Sequence, residues 1–239
     1  MKLGFPIAIQ KLMIQKRVIQ SLFFARLGVS SSVALVTLMS ATPLYANNIA
    51  NDPPTLLVMG DSLSAAYGIE QEQGWVALLA ERLDGDAQVV NASISGETTS
   101  GGAQRFADII GQRQPDIVLL ELGGNDGLRG LPPAQMRANL AVMIEQSQQA
   151  GADVLLLGID IPPNYGQAYR DAFTGVYHSL AEEYDLSLVP FLLEDIALNQ
   201  QLMQSDGIHP TAEAQPIILD NVWPALEPML EETYQASSQ

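Results

Sequence analysis

Short apolar runs alternate with longer amphipathic stretches between residues 54 and 233, and this alternation constrains the fold more than any other feature of the sequence. Five runs are candidate strands: Thr55–Met59, Ala87–Asn91, Asp116–Glu121, Asp153–Ile159 and Ser187–Val189. They are apolar along most of their length, which is typical of strands covered on both faces of a parallel sheet. The sequence therefore predicts an α/β domain with a parallel sheet and right-handed crossovers.

The stretches between these runs show the spacing of helices. Apolar side chains recur every three or four residues from Trp75 to Leu83. A second helix is expected to begin at Pro132–Pro133 and to end near Gly151, since proline suits a first turn and glycine suits a helix end. The last helix is expected to extend from about Thr211 to Glu232.

Several polar residues and one glycine follow the candidate strands. Ser62 comes after the first strand, Gly96 after the second and Asn125 after the third, while Asp206 and His209 come after the last. Ligands of such sheets bind outside the carboxyl ends of the strands. These five residues are therefore expected to meet at one edge of the sheet.

Ser62, His209 and Asp206 are the residue types that nucleophilic catalysis requires. A serine hydroxyl is a weak nucleophile until an imidazole accepts its proton, and an acid must orient that imidazole. Ser62 lies in GDSLSAAYG, and Asp206 and His209 lie three residues apart in SDGIHPT. The other histidine, His178, lies on an expected helix and is interpreted as structural. Alone, GDSL is also compatible with an ordinary turn in which a side chain caps a backbone amide.

Gly96 and Asn125 are candidates for stabilising an oxyanion. The Asn125 amide, together with the backbone amides of Gly96 and Ser62, could hold the negative oxygen of a tetrahedral intermediate. We expect glycine at 96 because a side chain there would block the reacting carbonyl. The glycine- and hydroxyl-rich loop 91–102 also resembles a phosphate cradle, but that function needs a lysine and residues 47–239 contain none.

The first 46 residues differ from the rest of the chain. They contain five basic residues and no acidic ones, continue into an apolar stretch from Leu27 to Met39, and end at Leu44-Tyr45-Ala46. This pattern predicts a signal peptide over residues 1–46 and export to the periplasm or beyond. The alternative is a membrane anchor, which is disfavoured because the apolar stretch contains three serines and falls short of the ~20 residues that a span needs.

Residues 47–239 are expected to form one domain with a strongly acidic surface. They carry six arginines against 27 Asp and Glu, a formal charge of −21. Such a surface disfavours nucleic acid and anionic lipid as partners. The chain has no cysteine and two histidines, which excludes disulfides and disfavours a metal site.

The four blocks around Ser62, Gly96, Asn125 and His209 resemble the SGNH (GDSL) hydrolase family, with Asp206 in the position of the family's acid. The resemblance extends over residues 56–215 and includes ELGGNDGLRG and DGIHPTAEAQP. It implies a three-layer α/β/α sandwich with a five-stranded parallel sheet. It also implies hydrolysis of fatty-acyl esters and thioesters as small-molecule substrates, without metal or organic cofactor. A monomer with no membrane span after processing is expected.

The resemblance also places an apolar acyl groove beside Ser62. The residues expected to line it follow the third and fourth strands: Leu128, Leu131, Ile161, Pro162 and Tyr165. In the family the loop after Asn125 closes over substrate, and Gly127 and Gly130 would allow that movement. Asp160 is where this chain departs from the family pattern. An acid near the groove would disfavour anionic substrates such as CoA esters.

Two other functions compete with a lipid esterase on this scaffold. A carbohydrate O-acetylesterase would need a short polar pocket, which the apolar loops disfavour. A non-catalytic lipid- or glycan-binding module would not need the full set of Ser62, Gly96, Asn125, Asp206 and His209.

Overall fold

The computed structural model describes residues 53–237, and the expected signal peptide and the cleavage after Ala46 lie outside them. Five strands form one parallel sheet in the order β2-β1-β3-β4-β5. The strands are β1 Thr55–Gly60, β2 Gln88–Asn91, β3 Ile117–Glu121, β4 Asp153–Leu157 and β5 Ser187–Val189. The predicted α/β fold and five-stranded parallel sheet are thus confirmed.

Helices cover the sheet on two faces. They are α1 Trp75–Leu83, α2 Thr99–Arg113, α3 Gly124–Leu128, α4 Pro133–Gln149, α5 Gln167–Tyr184 and α6 Gln215–Ser237. Helix α1 packs against α6, whereas α4 packs against α2 and α5. Short 3-10 turns occupy Gln71–Gln73, Pro163–Tyr165 and Ala212–Ala214. The result is a three-layer sandwich.

Strands β1 and β3 are the centre of the core. All five residues of β3 are buried, as are the last five of β1. This explains why both are apolar rather than alternating, apart from Thr55 at the start of β1 and Glu121 at the end of β3. Their carboxyl ends lie side by side, with Gly60 paired to Glu121. The residues that follow these two strands therefore begin close together.

Two helices differ from their predicted bounds. Helix α2 begins at Thr99, inside the segment 91–102 that was predicted to be a loop, and the Thr98 hydroxyl caps it by accepting from the Gly101 amide. The sequence does not indicate this helix clearly, because its three glycines have low helical propensity. Gly102 is needed because a Cβ there would lie 2.5 Å from Leu122 Cδ1, so the glycine lets α2 approach the sheet. Helix α6 begins at Gln215, after a 3-10 turn, and extends to Ser237.

Within residues 53–237, no helix combines the length and the apolar character needed to cross a bilayer.

Candidate active site

A hydrogen-bonded chain joins three side chains from opposite ends of the sequence. Ser62 Oγ lies 2.9 Å from His209 Nε2, and His209 Nδ1 lies 2.6 Å from Asp206 Oδ2. Ser62 follows β1 directly, while Asp206 and His209 lie in the loop that precedes α6. The structure therefore brings together the three residues that the sequence proposed as nucleophile, base and acid.

The loop that carries His209 is fixed by its own hydrogen bonds. Asp206 Oδ1 accepts from the backbone amides of Ile208 and His209 at 2.9 and 3.0 Å. Burial raises the pKa of Asp206, but the hydrogen bonds from the His209 ring and from these two amides outweigh that effect. The net pKa is about 2, below its usual value of 3.8. Asp206 is thus a carboxylate at neutral pH, and it fixes the Nδ1–H tautomer of His209. The Tyr67 ring lies against the imidazole, with 4.3 Å between ring centroids.

Gly96 and Asn125 line one cavity together with Ser62. Gly96 has φ +80°, a conformation that glycine adopts without strain, and a Cβ there would meet no protein atom within 4 Å. The backbone conformation is thus one reason for glycine at this position, and the expected block of a reacting carbonyl by a side chain stays a prediction, since the space beside Gly96 holds no protein atom. Arg129 fixes this turn by donating to the Gly96 carbonyl at 2.9 Å.

Asn125 is oriented by Asp61, a contact that the sequence analysis missed. Asn125 Nδ2 donates to Asp61 Oδ2 at 2.9 Å, and the Leu63 amide donates to Asp61 Oδ1 at 3.1 Å. Because an amide nitrogen carries two hydrogens, the second Asn125 hydrogen is left for a ligand. The sequence feature that could have indicated this contact is Asp61 itself, the acid of GDSL.

A second buried carboxyl, Glu121, lies behind the nucleophile turn. Its Oε2 accepts from the Asp61 amide at 3.1 Å and from the Ser64 hydroxyl at 2.7 Å. Burial raises the pKa of Glu121 well above its usual value, and the neighbouring Asp61 raises it further. Burial also raises the pKa of Asp61, to about 6, against the lowering effect of its hydrogen bonds from Leu63 and Asn125. Burial therefore shifts both acids of this turn towards their neutral forms, but Asp61, with a pKa of about 6, is still mostly a carboxylate at pH 7.

Replacing Asp61 by asparagine is expected to remove a pH-dependent cost to folding. With a pKa raised from 3.8 to about 6, the folded protein holds this proton more tightly than the unfolded chain, so stability falls as the pH rises through this interval. Relative to wild type, the free energy of unfolding of Asp61→Asn should rise by up to about 3 kcal/mol between about pH 4 and pH 7. Urea unfolding at both pH values measures this difference. Parallel pH profiles for the two proteins would contradict the assignment.

A cavity of about 700 Å³ opens above Ser62, Gly96, Asn125 and His209. Two segments form its walls. The first wall follows β3 and β4 and leads into α5; its apolar residues are Leu128, Ile159, Ile161, Pro162 and Pro163. The second wall lies between β5 and His209 and leads into α6; its apolar residues are Phe191, Leu193, Ala197, Leu198, Met203 and Ile208. This second wall was missed in the sequence.

The residues proposed to line an acyl groove are divided by the structure. Leu128, Ile161 and Pro162 line the cavity, whereas Leu131 and Tyr165 do not. The Tyr165 hydroxyl instead donates to the Leu128 carbonyl at 2.7 Å, which ties the segment after β4 to α3.

Gly127 has a packing role that differs from the movement proposed for it. A Cβ there would lie 2.5 Å from Ile161 Cγ2 and 2.8 Å from Phe173 Cε2. Glycine at this position therefore lets α3 pack closely against the segment after β4 and against α5.

No group of three or more His, Cys, Asp or Glu side chains in residues 53–237 is arranged to hold a metal ion. The site combines a hydroxyl, an imidazole and hydrogen-bond donors beside a largely apolar cavity. That combination defines a serine hydrolase site.

The chain belongs to the GDSL-like lipase/acylhydrolase family, whose model matches residues 58–216. It is similar to Esterase TesA from Pseudomonas aeruginosa, with 54% identity over 179 residues that cover 74% of this chain and 89% of that protein. It is also similar to Thioesterase 1/protease 1/lysophospholipase L1 from Escherichia coli, with 46% identity over 176 residues covering 74% of this chain and 85% of that one.

The fold is shared with a solved structure as well. The psychrotrophic esterase EstA from Pseudoalteromonas sp., in a form inhibited by monoethylphosphonate, superposes with a TM-score of 0.71 and 44% identity. The match covers 74% of this chain and 99% of that structure.

Proposed function

We propose that this protein hydrolyses fatty-acyl esters and thioesters through a covalent acyl-enzyme on Ser62. The observation that carries the proposal is the chain of contacts from Asp206 through His209 to Ser62, at 2.6 and 2.9 Å, at the base of a largely apolar cavity. The esterase, thioesterase and lysophospholipase names of the relatives support the same class of reaction.

The reaction follows from the positions of these atoms. Ser62 Oγ attacks the acyl carbonyl while His209 Nε2 accepts its proton, and the Asp206 carboxylate stabilises the imidazolium that forms. The Ser62 and Gly96 amides and the free Asn125 hydrogen bind the oxyanion. His209 then protonates the departing thiol or alcohol. Water then attacks the acyl carbon and gives a proton to His209, which returns it to Ser62 Oγ as the bond to serine breaks and the fatty acid leaves.

The two apolar walls favour substrates with a long acyl chain. On p-nitrophenyl esters, kcat/KM is expected to be roughly tenfold or more higher for decanoate than for acetate, since each buried methylene contributes about 0.8 kcal/mol. A series of esters of increasing length measures this preference. A clear preference for acetate would instead favour a carbohydrate O-acetylesterase and would contradict the lipid assignment.

The leader supports action outside the cytoplasm. If residues 1–46 are a signal peptide, the mature protein begins at Asn47 and has lost all five basic residues of the leader. Peptide mass mapping of the protein recovered from a bacterial periplasm is expected to give Asn47 as the first residue. Recovery of the intact leader in the membrane fraction would favour the anchor.

A monomer is the expected state of the mature enzyme.

A further inference from the structure

The two walls of the cavity differ in charge. The wall between β5 and His209 contributes no charged side chain to the cavity lining described here. The wall before α5 contributes two, Asp160 and Arg170. These are the only charged lining residues outside the group formed by Asp61 and His209 around Ser62.

Asp160 and Arg170 bind each other at the cavity surface. Arg170 Nη2 bonds to Asp160 Oδ2, and Arg170 Nε lies 3.3 Å from Oδ1. Asp160 Oδ1 also accepts from the Ile161 amide at 2.7 Å. The Arg170 side chain is 24% exposed and the Asp160 side chain 28%, so both are accessible from the cavity. Because both groups are part-buried, a ligand that opens this pair is favoured only if it leaves each charge with a new partner.

We propose that Asp160 and Arg170 form a subsite for a zwitterionic head group that carries a phosphate and an ammonium, as in the ethanolamine and choline lysophospholipids. The Arg170 guanidinium binds the phosphate oxygens, for which its planar fork of donors is suited, and the Asp160 carboxylate binds the ammonium. The acyl chain then lies along the uncharged wall of Leu193, Leu198 and Met203. This inference rests on the proposed function, since it assumes acyl hydrolysis at Ser62.

Charge pairing explains why a zwitterion fits better than other head groups. It replaces one ion pair by two and leaves neither Asp160 nor Arg170 unpaired. A head group with only a negative charge binds Arg170 but leaves Asp160 desolvated and repelled, which opposes binding. An uncharged aryl ester leaves the Asp160–Arg170 pair closed and is indifferent to it.

The test compares three substrates that share one acyl chain, used below the concentration at which they form micelles. They are lysophosphatidylethanolamine, lysophosphatidylglycerol and the p-nitrophenyl ester. Arg170→Gln is expected to lower kcat/KM for both lysophospholipids about tenfold, the usual effect of losing a hydrogen bond to a charged group. The p-nitrophenyl ester has no phosphate for Arg170 to bind, so the measured quantity is the ratio of the lysophospholipid rate to the p-nitrophenyl rate, which is expected to fall about tenfold.

Asp160→Asn separates the zwitterion from simple charge repulsion. It removes the negative charge that pairs with the ammonium, so the preference for the ethanolamine over the glycerol lipid is expected to fall about tenfold. Arg137→Gln is the matched control, because it breaks the ion pair between Arg137 and Glu183, which joins α4 to α5 and does not line the cavity. It should change none of the three rates. Thermal unfolding of each variant verifies that it is folded.

Three results would overturn the subsite. The first is an Arg170→Gln variant that cleaves lysophospholipids at the wild-type rate. The second is an Arg170→Gln variant whose kcat/KM for the p-nitrophenyl ester falls as much as its kcat/KM for the lysophospholipids. The third is an Asp160→Asn variant that raises both lysophospholipid rates equally. Wild-type protein that cleaves the p-nitrophenyl ester but neither lysophospholipid would also overturn it while leaving the proposed function intact. Failure on all three substrates would contradict the proposed function itself.

Discussion

Replacing Ser62 by alanine is expected to abolish turnover while leaving the fold intact. Ser62 Oγ is the atom within 2.9 Å of the His209 imidazole, and without it no acyl-enzyme forms. Removing a nucleophile that acts with an imidazole and an acid lowers kcat by about 10⁶-fold. Hydrolysis of a p-nitrophenyl ester by purified wild-type and variant protein measures the loss, and circular dichroism verifies the fold.

Ser95→Ala is a suitable control for this experiment. Ser95 lines the same cavity, but the hydroxyl that bonds to His209 belongs to Ser62. The control is expected to retain most of the wild-type rate. If the Ser62→Ala protein still turns over substrate and Ser95→Ala loses most of its activity, the nucleophile is Ser95 and not Ser62.

Replacing Asn125 by alanine is expected to lower kcat by about 10²–10³-fold with little change in KM. The donated hydrogen matters most when the oxyanion develops, so its loss affects the transition state more than the bound substrate. Steady-state kinetics on a medium-chain ester separates the two parameters. A rise in KM with an unchanged kcat would mean that Asn125 binds the ground state instead.

The residue next to Asn125 provides a matched control. Asp126 is buried, and its carboxylate accepts from the Thr99 amide at 2.8 Å and from the Thr99 hydroxyl at 2.6 Å, at the start of α2. Asp126→Asn is expected to lower the stability of the protein and to leave kcat within about threefold of wild type, since it removes no oxyanion donor. A loss in kcat as large as that of Asn125→Ala would indicate that both act only through the shape of this loop.

The positions of the central strands could be predicted from the sequence because burial makes them apolar. Strands β1 and β3 are buried on both faces, so they are apolar except at their ends and are visible without knowledge of their neighbours. Parallel strands then bring their carboxyl ends to one edge, which places Ser62, Gly96 and Asn125 together. Helix α2 was partly hidden, because Gly101, Gly102 and Gly111 lower its helical propensity and its packing compensates.

Contacts between distant polar residues could not be predicted in the same way. Asp61 and Glu121 are 60 positions apart, and nothing in either segment indicates that the Asp61 amide donates to the Glu121 carboxyl. The second cavity wall was missed for a similar reason. Residues such as Leu198 and Met203 lie in an irregular segment without periodicity, and only the three-dimensional course of the chain brings them to the cavity.

The ion pair between Asp160 and Arg170 changes the interpretation of Asp160. From the sequence this acid was expected to repel anionic substrates. In the structure its charge is balanced by Arg170, which lies ten residues later and one turn into α5. The wall it occupies is therefore neutral overall.

The most direct test of the account is to map the serine that a fluorophosphonate modifies in the wild-type protein. Only a hydroxyl activated by a neighbouring imidazole reacts readily with such a reagent. Digestion and mass spectrometry are expected to find one adduct, on the peptide that contains Ser62, and His209→Gln is expected to lose it. An adduct on any other serine, or labelling that persists without the imidazole, would contradict the proposal that Asp206 and His209 activate Ser62.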